Sequence, residues 1–337
     1  MGKRSREYWG PTAVPRIRRG FIRGMQQWVS EIEVQKAAES PPVTQGEREH
    51  WESREASLLA TRTAISKLDL AHLFWVTEDM AVAAMDASHD IPSVQWASVL
   101  PANAGIIGFA KALPPLPENL QMMYAGDRRA PAKPIDMISW HYGKNGLSIN
   151  AHTLVSRYAP GEIPDELDTP GPLMHSMAFV LPHADREVAF NSSDWATVTD
   201  SSILTETAHT EYIGAQPAGD AMLAFLAACL TMMMQPTVAT RTRLDGTTGG
   251  PARDAAPATP SDVTLIDLRP LVHKATETEP GEGARVYRHR WIVRGHWRNQ
   301  RVGQDRAQTR VTWVPSHIKG PAGAPVLATE KVMVWRR

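Results

Sequence analysis

Between Ala221 and Met234 the chain runs through fourteen residues with a single polar side chain, Thr231. As a helix such a stretch has no solvated face, so other parts of the chain must cover it on nearly every side. It is also too short to span a bilayer, which takes about 20 apolar residues. A chain built around it must therefore be layered, with elements packed over the segment from more than one direction. The expected helix runs from Ala218 to Met234, and Met232 to Met234 read as gap-filling core.

The N-terminal quarter supplies helices for those layers. Phe21, Ile22, Met25, Trp28, Val29 and Ile32 recur at three- and four-residue spacings, which predicts an amphipathic helix from Phe21 to about Glu39. Ser40-Pro41-Pro42 ends it, because a residue before proline is pushed out of helical backbone. A second helix is expected from Gln45 toward Lys67, with Trp51, Leu58, Leu59 and Ile65 as its apolar stripe, and a third from Ala71 to about Ser88. After Asp90 short apolar runs alternate with Pro, Gly and Asn, the chemistry of strands and turns. Gly105–Leu113, Ile135–His141, Leu147–Asn150 and Met177–Leu181 are the strand candidates, and Val263–Leu268 is a further one. Between about Thr240 and Ser261 the composition falls to Gly, Pro, Ala, Thr and Asp and predicts a linker.

The fold class expected is α+β, with a helical N-terminal region, a β-rich middle and a C-terminal antiparallel β-meander. The organisation that follows is a basic flexible arm (1–20), a helical region (21–90), an α+β middle domain ending in the buried helix (91–237), a linker (238–262) and a basic, tryptophan-rich β module (263–337). Cys229 is the only cysteine among 337 residues, which excludes an intrachain disulfide and a thiolate zinc site within one chain. The N-terminus lacks the apolar run of a secretory signal, so a soluble, cytoplasmic protein without a membrane partner is expected.

Lysine plus arginine and aspartate plus glutamate balance at 36 each, yet the charge is unevenly placed. Met1–Gly24 carries +6 and Arg285–Arg337 carries +10, which leaves −16 on the middle of a neutral chain. Such asymmetry points to a polyanionic partner, or to basic ends that dock on the acidic body. The C-terminal segment sharpens the choice. From Tyr287 to Asn299 the sequence YRHRWIVRGHWRN alternates with period two. Arg288, Arg290, Arg294, His296 and Arg298 fall on one side, interrupted by Ile292, and Tyr287, Trp291, Val293 and Trp297 on the other. A loop with Arg301 and Arg306 follows, then a strand Thr309–Val314 carrying Arg310, the turn containing Lys319, and a third strand Val326–Trp335. The candidate nucleic-acid-binding set is Arg288, Arg290, Arg294, His296, Arg298, Arg301, Arg306, Arg310 and Lys319. Guanidinium groups offer forked donors to phosphate oxygens and stay charged at any cellular pH.

The run WIVRGHWRNQ followed by TWVPSHIKGP resembles uncharacterised proteins of actinobacteria and their phages or mobile elements, over about Tyr287 to Pro321. A looser likeness covers AHLFWVTEDMAVAAMDASHDIP and GIIGFAKAL. The resemblance implies an origin in such elements and transfers no catalytic residue.

Enzymatic signatures are missing from the sequence. There is no HExxH or HxH metal pattern, no Gly-rich phosphate loop, no GxGxxG and no GxSxG elbow. No metal or cofactor is expected. Three functions remain open: a non-enzymatic, regulatory or accessory protein that grips RNA or DNA backbone through the basic sheet; a module whose arginines pair with an acidic partner, another copy or its own body; and a metal-independent ribonuclease using His296 as acid or base with Arg294 and Arg298 stabilising the phosphorane, and His317 and Lys319 as its partners.

Overall fold

The computed structural model describes residues 9–115, 133–143, 146–162, 171–181, 187–188, 217–252, 258–269, 288–321 and 323–327. Two long helices, α1 (Ala13–Ala38) and α2 (Gln45–Asp69), lead the chain. They lie antiparallel, for the ion pairs Glu39–Arg54, Lys36–Glu55 and Glu33–Arg62 run down one helix and up the other. Thr44 caps α2 through a reciprocal box: its hydroxyl accepts from Glu47 N at 3.2 Å and the Glu47 carboxylate accepts from Thr44 N at 2.8 Å.

Then come β1 (His72–Val76), α3 (Glu78–Ser88), β2 (Val94–Gln95), α4 (Trp96–Val99), β3 (Ala104–Pro115), β4 (Pro134–Gly143), β5 (Gly146–Leu154), β6 (Leu173–Leu181), β7 (Glu187–Val188) and α5 (Pro217–Met233). The chain continues through β8 (Ala239–Leu244), β9 (Val263–Leu268), β10 (Arg290–Val293), β11 (His296–Val302), β12 (Gln308–Val314), β13 (His317–Lys319) and β14 (Val326–Leu327). The central sheet has the order β6-β5-β4-β3-β1-β9-β8, with β1 parallel to both β3 and β9 and the remaining pairs antiparallel. The α+β class is thus as expected: N-terminal helices, a mixed seven-stranded sheet and small C-terminal sheets, antiparallel apart from the β10–β14 pair.

Period-two alternation sends the sheet's side chains to two cores. Leu73, Trp75, Ile106, Met137 and Val263 meet Ala13, Val14, Ile17 and Phe21 of α1 and Leu68 of α2. Phe74, Val76, Ile107, Phe109, Ile138 and Trp140 meet α3 and α5 on the opposite face. The segment whose single polar side chain is Thr231 falls in α5, and Ala221–Leu230 is buried throughout, as its composition requires. Cys229 lies within it, its thiol pushed up to about 12 by desolvation. One close approach needs a glycine: Gly105 pairs with Trp140 across β3–β4, and a Cβ there would sit 2.1 Å from the indole.

Several expectations are corrected. The segment 71–88 is a strand followed by a helix, because β1 lies mid-sheet with both faces covered, and such a strand is a continuous apolar run that periodicity cannot distinguish from a buried helix. Helix α1 begins at Ala13, inside the expected arm, and Pro15 is tolerated because the first turn needs no N–H from it. Arg18, counted with the arm's exposed charges, is buried, its Nη1 donating to Ala71 O at 3.4 Å. The arm's first eight residues lie outside the described ones. In the expected linker, Ala239–Leu244 is an edge strand paired to β9, and Asp245 closes a turn by accepting from Thr247 N at 2.7 Å. Strand β9, read with the expected C-terminal module, pairs within the central sheet.

Candidate nucleic-acid interface

The expected single strand from Tyr287 to Asn299 is broken at Arg294-Gly295 into β10 and β11. Gly295 is the reason. Its backbone lies under the Trp313 indole, where a Cβ would fall 2.4 Å from Cζ2, and its N–H donates to Ser316 Oγ at 3.0 Å instead of to a ladder. Tyr287 lies outside the described residues, as does the expected third strand beyond Leu327. Strand β10 joins β13 and β14, whereas β11 and β12 form a separate two-stranded ribbon of seven register pairs from His296↔Val314 to Val302↔Gln308.

The root of the ribbon is fixed to the body. Trp297 and Trp313 face each other in register, ring centroids 5.1 Å apart, and both pack against the core that holds α3 and α5. Trp297 Nε1 donates to Ala87 O at 2.7 Å, satisfying a carbonyl in the last turn of α3. Trp313 N donates to Gln235 Oε1 at 3.0 Å, just beyond α5. Beyond this root the residues 298–301 and 303–310 are all exposed, so the outer ribbon stands clear of the body.

Register then distributes the charges. His296, Arg298, Gln300, Arg310 and Thr312 share one face. Arg298 Nη2 donates to Gln300 Oε1 at 3.0 Å, and Gln300 pairs directly with Arg310. Arg301 falls on the opposite face, the side of the tryptophans, farther out. Arg306 sits in the turn, where it and Asp305 take left-handed backbone, φ 56° and 53°. Among the described residues, Arg298, Arg301, Arg306 and Arg310 have no carboxylate partner.

The other candidates lie elsewhere. Arg294 is 3.5 Å from Asp86 at the end of α3, and Arg290 is half-buried with its Nε donating to Ala324 O at 2.6 Å. Arg288 is exposed ahead of β10, and Lys319 is exposed on β13, opposite Trp291. The ribonuclease residues are divided: His296 is on the ribbon and His317 and Lys319 are on β13, in another sheet. Among the described residues no group of three or more His, Cys, Asp or Glu is arranged to hold a metal, and no helix is long and apolar enough to cross a membrane.

Sequence reasoning missed the anchors Asp86, Ala87 and Gln235, which lie in distant elements and carry no local signal. It also missed Arg241 and Arg243 on β8, hidden in the expected linker. With His72 and Thr264 they line an open cavity of about 380 Å³ floored by Phe74 and Met234, where Arg243 is held 3.7 Å from Asp262.

No protein-family model and no curated protein sequence matches the chain. Among solved structures, the crystal structure of AcrVA2 aligns over 87% of this chain and 93% of that one, at 13% identity and a TM-score of 0.32. A likeness at that level transfers neither a site nor an activity.

Proposed function

We propose that this chain is a non-enzymatic accessory protein of a phage or mobile element that grips nucleic-acid backbone through the β11–β12 ribbon. The observation that carries the reading is the projecting hairpin with four exposed guanidinium groups, Arg298, Arg301, Arg306 and Arg310, and no carboxylate partner for any of them among the described residues. Unpaired guanidiniums on a protruding element are suited to displace counterions from phosphates, the main source of affinity in such complexes. The origin rests on the C-terminal resemblance.

The test is retention of the full chain on 20-nucleotide DNA and RNA, single- and double-stranded, across a salt series. From 50 to 200 mM salt, affinity is expected to fall about tenfold if two phosphates are neutralised and on the order of 100-fold if four are. Replacing the four arginines with glutamine should abolish retention while leaving the circular dichroism and melting profile unchanged, since their side chains are exposed. Absence of binding to every nucleic acid, or retention unmoved by the quadruple variant, would overturn the reading.

A further inference from the structure

The arrangement of side chains on the ribbon goes beyond backbone contact. Resting on the nucleic-acid reading above, we infer that the β11–β12 ribbon enters the major groove of duplex DNA, with Arg298, Gln300 and Arg310 reading base edges and Arg301 and Arg306 holding phosphates.

Single strands are gripped by stacking successive bases on exposed aromatic rings. This ribbon has spent its rings at the root: Trp313 is 6% exposed, and Trp297 is half-buried with its N–H bonded to Ala87 O. From Arg298 to Thr312 there is no aromatic residue. A duplex groove needs no stacking platform. Four register pairs, from Asn299↔Val311 to Val302↔Gln308, extend beyond the tryptophans and their neighbouring pair. At about 3.3 Å per residue they reach at least 10 Å before the turn is added. The major groove of B-form DNA is about 12 Å wide and admits a two-stranded ribbon laid face-down in it, which turns Arg298, Gln300 and Arg310 toward the bases and leaves the turn at the rim, whereas that of duplex RNA is too narrow for side chains to read.

The chemistry of the faces agrees with that placement. Arginine pairs in bidentate fashion with guanine O6 and N7, and glutamine with adenine N6 and N7. Both types occur on one face, where Gln300 lies opposite Arg310 and accepts from Arg298, so the three polar ends are mutually positioned. Arg301 leans to the other face and Arg306 occupies the turn, both set for the phosphate rims rather than the base edges. Arg306 keeps a left-handed backbone, φ 56°, where glycine would be easier, which is strain that a plain turn has no reason to keep. Asp305 beside it is the one carboxylate between His296 and Val314, so phosphate contact must come from the arginine side of that turn.

The full chain is incubated at moderate salt with a randomised 20-base-pair DNA pool, and in parallel with the same pool single-stranded and as duplex RNA. Duplex DNA should be retained best and should become enriched in a short preferred sequence over successive rounds. Arg310→Ala and Gln300→Ala should each lower preference for the enriched site over random duplex by about 5- to 100-fold. Arg306→Ala should weaken enriched and random duplex alike and make the slope of log affinity against log salt shallower by about 0.9. Duplex binding without enrichment, or tighter binding of single strands or duplex RNA, would overturn the groove assignment and leave the backbone reading standing. No binding in any pool would overturn both.

Discussion

Placing a methyl group on Gly295 tests whether the root of the ribbon is built as described. In Gly295→Ala the new Cβ would lie 2.4 Å from Trp313 Cζ2, 3.0 Å from Cη2 and 3.1 Å from Cε2, against ordinary contacts of 3.4–4 Å. The indole edge must therefore retreat by about 1 Å, a displacement typical of overpacked cores. It has little room, for Trp313 is 6% exposed, faces Trp297 at 5.1 Å and is tied through its N–H to Gln235. Inserting a methyl into such a site costs about 1–3 kcal/mol. The clash is with the benzo edge of the indole, which phenylalanine lacks, so in a Trp313→Phe background the same alanine should cost under about 0.5 kcal/mol. Trp313→Phe alone should cost on the order of 1 kcal/mol, as a partial version of aromatic truncation. The assay is urea unfolding of the parent, the two single variants and the double variant. Costs that add to within about 0.5 kcal/mol would refute the claim that the glycine exists to admit the indole.

Three further outcomes follow from particular residues. Arg306→Gly should raise stability by up to about 1 kcal/mol, by releasing left-handed strain, while lowering affinity for nucleic acid; a drop in the denaturation midpoint would remove the strain argument. His141 is buried, its Nδ1 has no hydrogen-bond partner among the described residues, and its pKa is pushed down, first by desolvation and then by Lys67. Its unfolded form takes up a proton near pH 6.5 while the folded form resists, so stability should hold above that pH and decline below it, by at most about 1.4 kcal/mol per pH unit for this group. His141→Phe should flatten that decline, and equal slopes in urea titrations at pH 5–7 would contradict it. Cys229, fully buried with its thiol raised to about 12, should react with iodoacetamide at pH 8 at least roughly 100-fold more slowly in the native protein than in urea; comparable rates would show that α5 opens.

The helical and strand segments with strong local signals were legible from the residues alone. Ser40-Pro41-Pro42 marks the end of the first helix to within two residues, and the composition of Ala221–Met234 is enough to bury α5. What could not be read was set by non-local pairing. His72–Val76 is a strand because β3 and β9 flank it on both edges, one of them nearly 190 residues later in the chain. Ala239–Leu244 is a strand despite Thr240, Arg241, Thr242 and Arg243, because as a sheet edge it needs only one ladder, which β9 supplies. In the candidate interface the alternation separating arginine from tryptophan was legible for β11 and β12. The break at Gly295 was not, since it depends on where an indole eighteen residues later comes to rest.

The break at Gly295 separates Arg294, at the root, from Arg298, Arg301, Arg306 and Arg310 on the ribbon. The ribbon is rooted against the C-terminal ends of α3 and α5, where backbone carbonyls carry the negative end of each helix dipole. A cationic module is favoured in that position, and Arg294 adds a contact to Asp86 worth at most about 1 kcal/mol, given how exposed both groups are. Farther along the ribbon, Arg298, Arg301, Arg306 and Arg310 are exposed and have no carboxylate partner among the described residues. The proposed grip on nucleic acid needs that order, because an anion arriving from outside meets the exposed ribbon arginines while Arg294 stays engaged with Asp86.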